Sequence, residues 1–402
     1  VPLVRRVAAL LTVAGVLAGC TTAGSSPGDA RAAAVLRIVE ETMADAHLKA
    51  AIVRVTEDGE ELLTRAVGES MTGVPATTDM HFRNGAVAIS YVATLLLMLA
   101  EEGTVGLDDT LARWVPDIPH ADRVTLRQLA QMTSGYHDFV LGNDAFDAAF
   151  YADPFRAWTT RELLDFAVHR PLFYEPGTNW NYAHTNYLLR GLALEQATGR
   201  PMAELLAQRV LGPLGLDATR PSLTAQIPAP VLHAYSSERR QALGIPPGTE
   251  FYEDSTFWNP SWTITHGAVQ TSTIADLEAT AVAIGRGTLL SPESHRLMVS
   301  TELRGRTRAQ PGCPTCAPMD DRYTYGLGVV ISGDWLLQNP MLAGYAAVEA
   351  YLPARRLAVA VVVTFAPEAF DDEGGYTNAA QTVFARIATE LAPDHAPPAP
   401  HR

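Results

Sequence analysis

The sequence predicts an α/β protein of the α+β type, in which both chain ends build one antiparallel sheet flanked by helices, with a helical lobe inserted between the halves. Three observations carry this expectation. Short apolar runs rich in β-branched residues lie near the start (50–55, 61–67) and near the end (325–332, 345–352, 357–365). Between them, from about 106 to 290, helical stretches alternate with loops rich in proline, glycine and aromatic residues. Helical periodicity brackets the whole, near 29–46 and 377–391. Strands this far apart must pair to bury their faces, and the terminal helices are then placed to cover one side of the sheet.

Taken in order, Asp29 to Ala46 sets Val35, Ile38, Val39 and Met43 on one helical face. Two strands follow around Glu57-Asp58-Gly59, a hairpin signal. Ala86 to Glu102 is nearly all apolar and ends before Gly103; a helix apolar on every side is a buried one. The domain is expected to span 29–392 and to end in a disordered tail, 393–402, with four prolines and two histidines.

The 402 residues, 47% hydrophobic and 18% charged, suit a packed globular protein. The formal charge is −14, or −16 once residues 1–19 with Arg5 and Arg6 are removed. So acidic a chain, with no basic stripe, repels phosphate backbones, which excludes nucleic acid as a partner.

Arg5 and Arg6 precede an apolar run, Val7 to Leu17, and then Leu17-Ala18-Gly19-Cys20. This order describes a secretory signal over 1–19; the run is shorter than the roughly 20 apolar residues a spanning helix needs. Leu-Ala-Gly-Cys resembles the lipobox of bacterial lipoproteins, which implies acylation of Cys20 and attachment to the outer face of the cell membrane. Residues 20–28, small and flexible, read as a tether. The other two cysteines, Cys313 and Cys316, sit in a proline-rich loop. In an oxidising compartment they read as a local disulfide rather than a redox pair, which needs a helix N-terminus, or a zinc site, which needs two more ligands.

Several stretches together resemble the beta-lactamase-related serine hydrolases, the group of class C beta-lactamases, D-Ala-D-Ala peptidases and related esterases. They include Phe82-Arg83-Asn84-Gly85, Leu95 to Asp109, Val124 to Gly135, Tyr174 to Thr178, Asn186-Tyr187, Pro213 to Leu216 and Tyr325 to Gly328. The resemblance runs through nearly the whole chain after the tether and implies the beta-lactamase/transpeptidase-like fold. It also implies an active site of three parts: a serine and a lysine one turn apart at the head of the buried helix, a Tyr-x-Asn, and a Lys-Thr-Gly or His-x-Gly on the flanking strand. The serine needs a neighbouring base to become a nucleophile, and backbone N–H groups must hold the oxyanion.

Carried over position by position, the motifs are degenerate. Ala86 and Ile89 stand at the serine and lysine positions, Tyr182-Ala183-His184 at Tyr-x-Asn, and Gln338-Asn339-Pro340 at His-x-Gly. Lys49 is the single lysine and Ala46 lies three residues before it, so the sequence holds no Ser-x-x-Lys. An isoleucine where a buried lysine would need compensation gains about 1.5–3 kcal/mol of burial energy.

Other residues are weighed as substitutes. Ser90, one turn below Ala86, reads as a displaced nucleophile with Tyr182 as its base, or as a hydroxyl bonded back to its own helix. His137, His184 and His266 could act as bases or zinc ligands, but no paired metal spacing accompanies them; they are expected to be hydrogen-bonded individually, with no metal and no cofactor. Ser134 reads as a turn serine. Tyr182, His184 and Trp258 are the ligand-binding candidates, and the aromatics of 251–262 read either as a binding wall or as the core of the lobe. The sequence thus leads to a lipid-anchored, catalytically inactive relative that binds a peptidoglycan peptide, a small acyl ligand or a protein partner it does not specify. The enzymatic alternative is an esterase or D,D-peptidase-like hydrolase using a relocated nucleophile such as Ser90.

Overall fold

The computed structural model describes residues 27–399, so the signal region, Cys20 and the tether up to residue 26 lie outside the described residues, as do 400–402. A nine-stranded antiparallel sheet forms the frame. Its N-terminal hairpin pairs strand β1 (Leu48–Glu57) with β2 (Glu60–Met71). Asp58 and Gly59 turn the chain between them at φ of 57° and 86°, the left-handed conformation that a two-residue hairpin needs. The other side of β1 zips onto the C-terminal strand 357–365, with Val53 opposite Val361, and that strand pairs with 345–352. Both C-terminal strands are buried at every residue, because helices lie on both faces; hence their continuous rather than alternating apolar pattern.

Helix α1 (Pro27–Asp45) and the last helix, Ala379–Leu391, cover one face together, joined by Arg386, which donates to Thr42 at 2.8 Å and pairs with Glu41. On the other face lies the helix Ile274–Arg286. Its Glu278 accepts from Thr56 and Arg54 of β1, and a Cβ on Gly285 would stand 2.2 Å from the Tyr351 ring. This corrects the expected lobe boundary of about 290: the inserted lobe ends near the strand Gln270–Ser272, and the helix after it belongs to the sheet.

The expected strand 325–332 is divided into 324–325 and 330–332, and the strands 335–338 and 341–342 join the sheet as well. At the break, a side chain at Gly326 would meet the Met298 carbonyl at 2.1 Å. The tail is also corrected. Residues 393–395 form a 3₁₀ turn whose His395 carbonyl accepts the indole N–H of buried Trp335 at 2.7 Å, and the His395 ring meets Asp334. A buried indole donor requires an acceptor, and the tail supplies it.

Helix α2 (Val87–Glu101) packs against the helices His184–Thr198, Met202–Leu206 and Pro292–Met298, with Val87 through Leu97 all buried. Its position brings one end of the helix to the seam between sheet and lobe. Among the described residues no helix is long and apolar enough to cross a membrane.

Candidate functional site

Gly85 sets the site. At φ +52° it turns the chain into α2, and a Cβ there would stand 2.8 Å from Cβ of Pro340, so the head of the helix is pressed onto the strand that follows Gln338. A pocket of about 220 Å³ opens at this seam, and Ala86, Ile89, Tyr182, His184, Gln338 and Pro340 all line it. Six positions spread over 255 residues of chain therefore meet at one place. Trp262, Tyr323, Tyr325 and Met341 complete the walls, and no carboxylate or arginine is among the lining residues.

Ala86 caps α2 without a side-chain hydrogen bond. Ile89 is 1% exposed. Gln338 is buried and spends its amide N–H on the Gly328 carbonyl at 2.7 Å. Pro340, lacking an N–H, still accepts from Ala347 at 3.0 Å through its carbonyl. Burial pushes the phenol of Tyr182 up, and the nearby Asp138, Tyr323 and Tyr187 add to the effect. The loop carrying the Cys313–Cys316 disulfide lies behind it, with the Tyr182 N–H facing the Thr315 carbonyl at 3.4 Å.

Ser90 is not among the pocket residues. It is fully buried, and its hydroxyl donates to the Val87 carbonyl at 2.7 Å. The relocated-nucleophile expectation is corrected accordingly: one helical turn past Ala86 carries the side chain into the core, where its own helix is the nearest acceptor.

Of the three histidines, only His184 reaches the pocket. His137 packs at a tilt against Phe173 with ring centroids 3.6 Å apart and faces the Pro171 carbonyl, its pKa lowered to about 4 by burial and by Arg170. His266 is exposed. Among the described residues no group of three His, Cys, Asp or Glu side chains is arranged to hold a metal.

His184 opens the helix His184–Thr198, whose N-cap residue, Ala183, offers no side-chain acceptor. Asp138 takes that role from the preceding loop. Its carboxylate, with the side chain 1% exposed, accepts the His184 backbone N–H at 3.0 Å, faces Nδ1 at 3.0 Å and accepts the Val140 N–H at 3.1 Å. A negative group at a helix N-terminus is well placed electrostatically. His184 thus faces this carboxylate through Nδ1 while its ring lines the pocket. Sequence reasoning missed Asp138; its one trace is the polar His137-Asp138 pair after Gly135, and its partner lies 46 residues away.

Trp258, expected as a ligand contact, is 2% exposed and lies off this pocket, in an adjoining chamber of about 440 Å³. Trp262, four residues on, walls both spaces. Tyr252 instead stacks on Tyr235, and Phe257 meets the edge of His233. The aromatic segment is thus divided between cavity wall and packing. Ser134 bonds Asn186 and caps the Tyr136 N–H, a turn role.

The family profile described as Beta-lactamase matches residues 35–384. The chain is 30% identical to Esterase EstB of Burkholderia gladioli over 207 residues, 48% of this chain and 53% of the esterase. It is 32% identical to Penicillin-binding protein 4 of Amycolatopsis lactamdurans over 176 residues, 42% of this chain and 44% of that protein. The chain spans about half the length of the curated relatives it matches. Among solved structures it resembles a D-stereospecific amidohydrolase from Streptomyces sp., with a TM-score of 0.71 and 25% identity, covering 90% of this chain and 98% of the other.

Proposed function

The chain belongs to the beta-lactamase family, and from that premise we propose that it is a non-acylating member that holds a cell-wall peptide or small acyl ligand in the pocket over Ala86. One observation carries the proposal. The pocket at the head of α2 is open, yet the two side chains projecting there from the helix, Ala86 and Ile89, are hydrocarbon. An acyl-enzyme needs a hydroxyl or thiol beside a base. The hydroxyls that line the pocket belong to Thr263, which donates to the Pro260 carbonyl at 3.0 Å, and to tyrosines. Burial raises the pKa of Tyr182, Tyr323 and Tyr325. The proposed location is the outer face of the membrane, held through an acylated Cys20; the signal-like residues 1–19 support it.

The enzymatic alternative draws on a different observation, the Asp138–His184 pair. An imidazole oriented by a buried carboxylate can serve as a general base. The two readings differ in a single experiment. The full chain is mixed with diacetyl-L-Lys-D-Ala-D-Ala, or with a D-phenylalanine amide, and both Tm and product are followed. The proposal expects Tm to rise with ligand concentration while neither free D-Ala nor D-phenylalanine accumulates. Product release that is lost in His184→Ala would establish the hydrolase instead. An unchanged Tm without product would leave the protein partner as the occupant.

A further inference from the structure

The chamber beside the pocket has its own chemistry, and the inference drawn from it holds whether or not the pocket over Ala86 turns a ligand over. We propose that this chamber is a binding site for an organic ammonium group. Its walls carry six aromatic rings, Phe146, Phe150, Tyr151, Trp258, Trp262 and Tyr376, together with the carboxyl groups of Asp147 and Glu238 and no lysine or arginine. Aromatic faces bearing negative quadrupoles, with carboxylates among them, attract a cation that carries apolar substituents.

The two acids lack the counter-charge such a site would supply. Glu238 accepts from Ser236 at 2.7 Å and from Tyr151 at 3.4 Å, and no ion pair reaches it among the described residues. Arg239, next in sequence, turns to Glu253 at 3.0 Å and to the Tyr151 carbonyl at 2.9 Å. Asp147, on the helix Asp144–Ala152, has neither a side-chain hydrogen bond nor an ion pair among the described residues. Burial holds both carboxyls above their usual range, and Asp144 and Asp138 add to the effect on Asp147; a bound cation offsets that penalty. A further orphan lines the chamber. The indole N–H of Trp258, a residue 2% exposed, has no hydrogen-bond acceptor among the described residues. A ligand oxygen near the ammonium group would satisfy it. His184, Trp262, Leu141, Met341 and Leu342 belong to both cavities, so a single ligand can set its amine in the chamber and its other end over Ala86.

The test is isothermal titration of the full chain at pH 8 and low salt with three probes of similar shape: phenylethylammonium, 2-phenylethanol and 3-phenylpropanoate. The cation is expected to bind at least tenfold tighter than the alcohol, and the carboxylate weakest. Glu238→Gln is expected to cost the cation about tenfold in affinity and leave the alcohol within twofold. Asp147→Asn, which breaks no hydrogen bond, is expected to act in the same direction and keeps the test readable if the buried change at 238 impairs folding. Equal binding of cation and alcohol, preference for the anion, or no binding of any probe would overturn the assignment.

Discussion

Asp138→Ala is expected to lower the unfolding free energy by about 3–5 kcal/mol, the range seen when a buried charged hydrogen-bond partner is removed. The carboxylate is buried and serves three donors at once: the backbone N–H groups of His184 and Val140 and the Nδ1 of His184. Each donor left unpaired in the interior costs about 1–3 kcal/mol, and the helix from 184 loses the side-chain acceptor that Asp138 provides at its N-terminus. Asp138→Asn, which keeps an acceptor oxygen, is expected to recover more than half of the loss. Urea unfolding of the three proteins measures this directly. An Asp138→Ala variant within 1 kcal/mol of the parent would mean that the loop does not hold His184 in place.

Restoring the family's pair by Ala86→Ser with Ile89→Lys is expected to produce a protein destabilised by about 3–5 kcal/mol, the cost of an uncompensated buried charge. Ala86→Ser contributes little, since the position is only part-buried. Ile89 is 1% exposed, and no carboxylate lines the pocket to meet an ammonium group. The double variant is further expected to stay unlabelled by fluorescent penicillin. Pro340 packs its ring against Gly85, and Met341, 41% exposed, stands at the edge of the pocket. Labelling of the double variant would show that the strand edge is no obstacle and that the two side chains alone separate this protein from an acylating one.

Much of the fold could be read from local pattern. The strands 345–352 and 357–365 are unbroken apolar runs, and α2 is apolar all round, so each announces its burial without reference to any partner. The strands of two to four residues at 324–325, 335–338 and 341–342 are too short for a period to register. The helix 274–286 has the amphipathic pattern of any surface helix; that it belongs to the sheet follows from Glu278 reaching Thr56, 222 residues away. The tail looked structureless because proline and alanine carry no pattern, yet one indole N–H ties it down.

The site divides in the same way. Ala86, Ile89, Tyr182, His184, Gln338 and Pro340 could be placed from motif order, because a motif fixes position whichever side chain stands there. The Asp138–His184 contact and the choice of Trp262 over Trp258 as pocket wall could not be placed, since each depends on how the lobe folds back on itself.

On the proposed reading, no side chain in the pocket over Ala86 forms an acyl adduct. The most direct measurement is the intact mass of the full chain after incubation with a fluorescent penicillin and, separately, a fluorophosphonate. The mass is expected to be unchanged with both reagents. A stoichiometric adduct mapped by peptide sequencing to Thr263, Tyr182, Ser90 or any other residue at the head of α2 would contradict it.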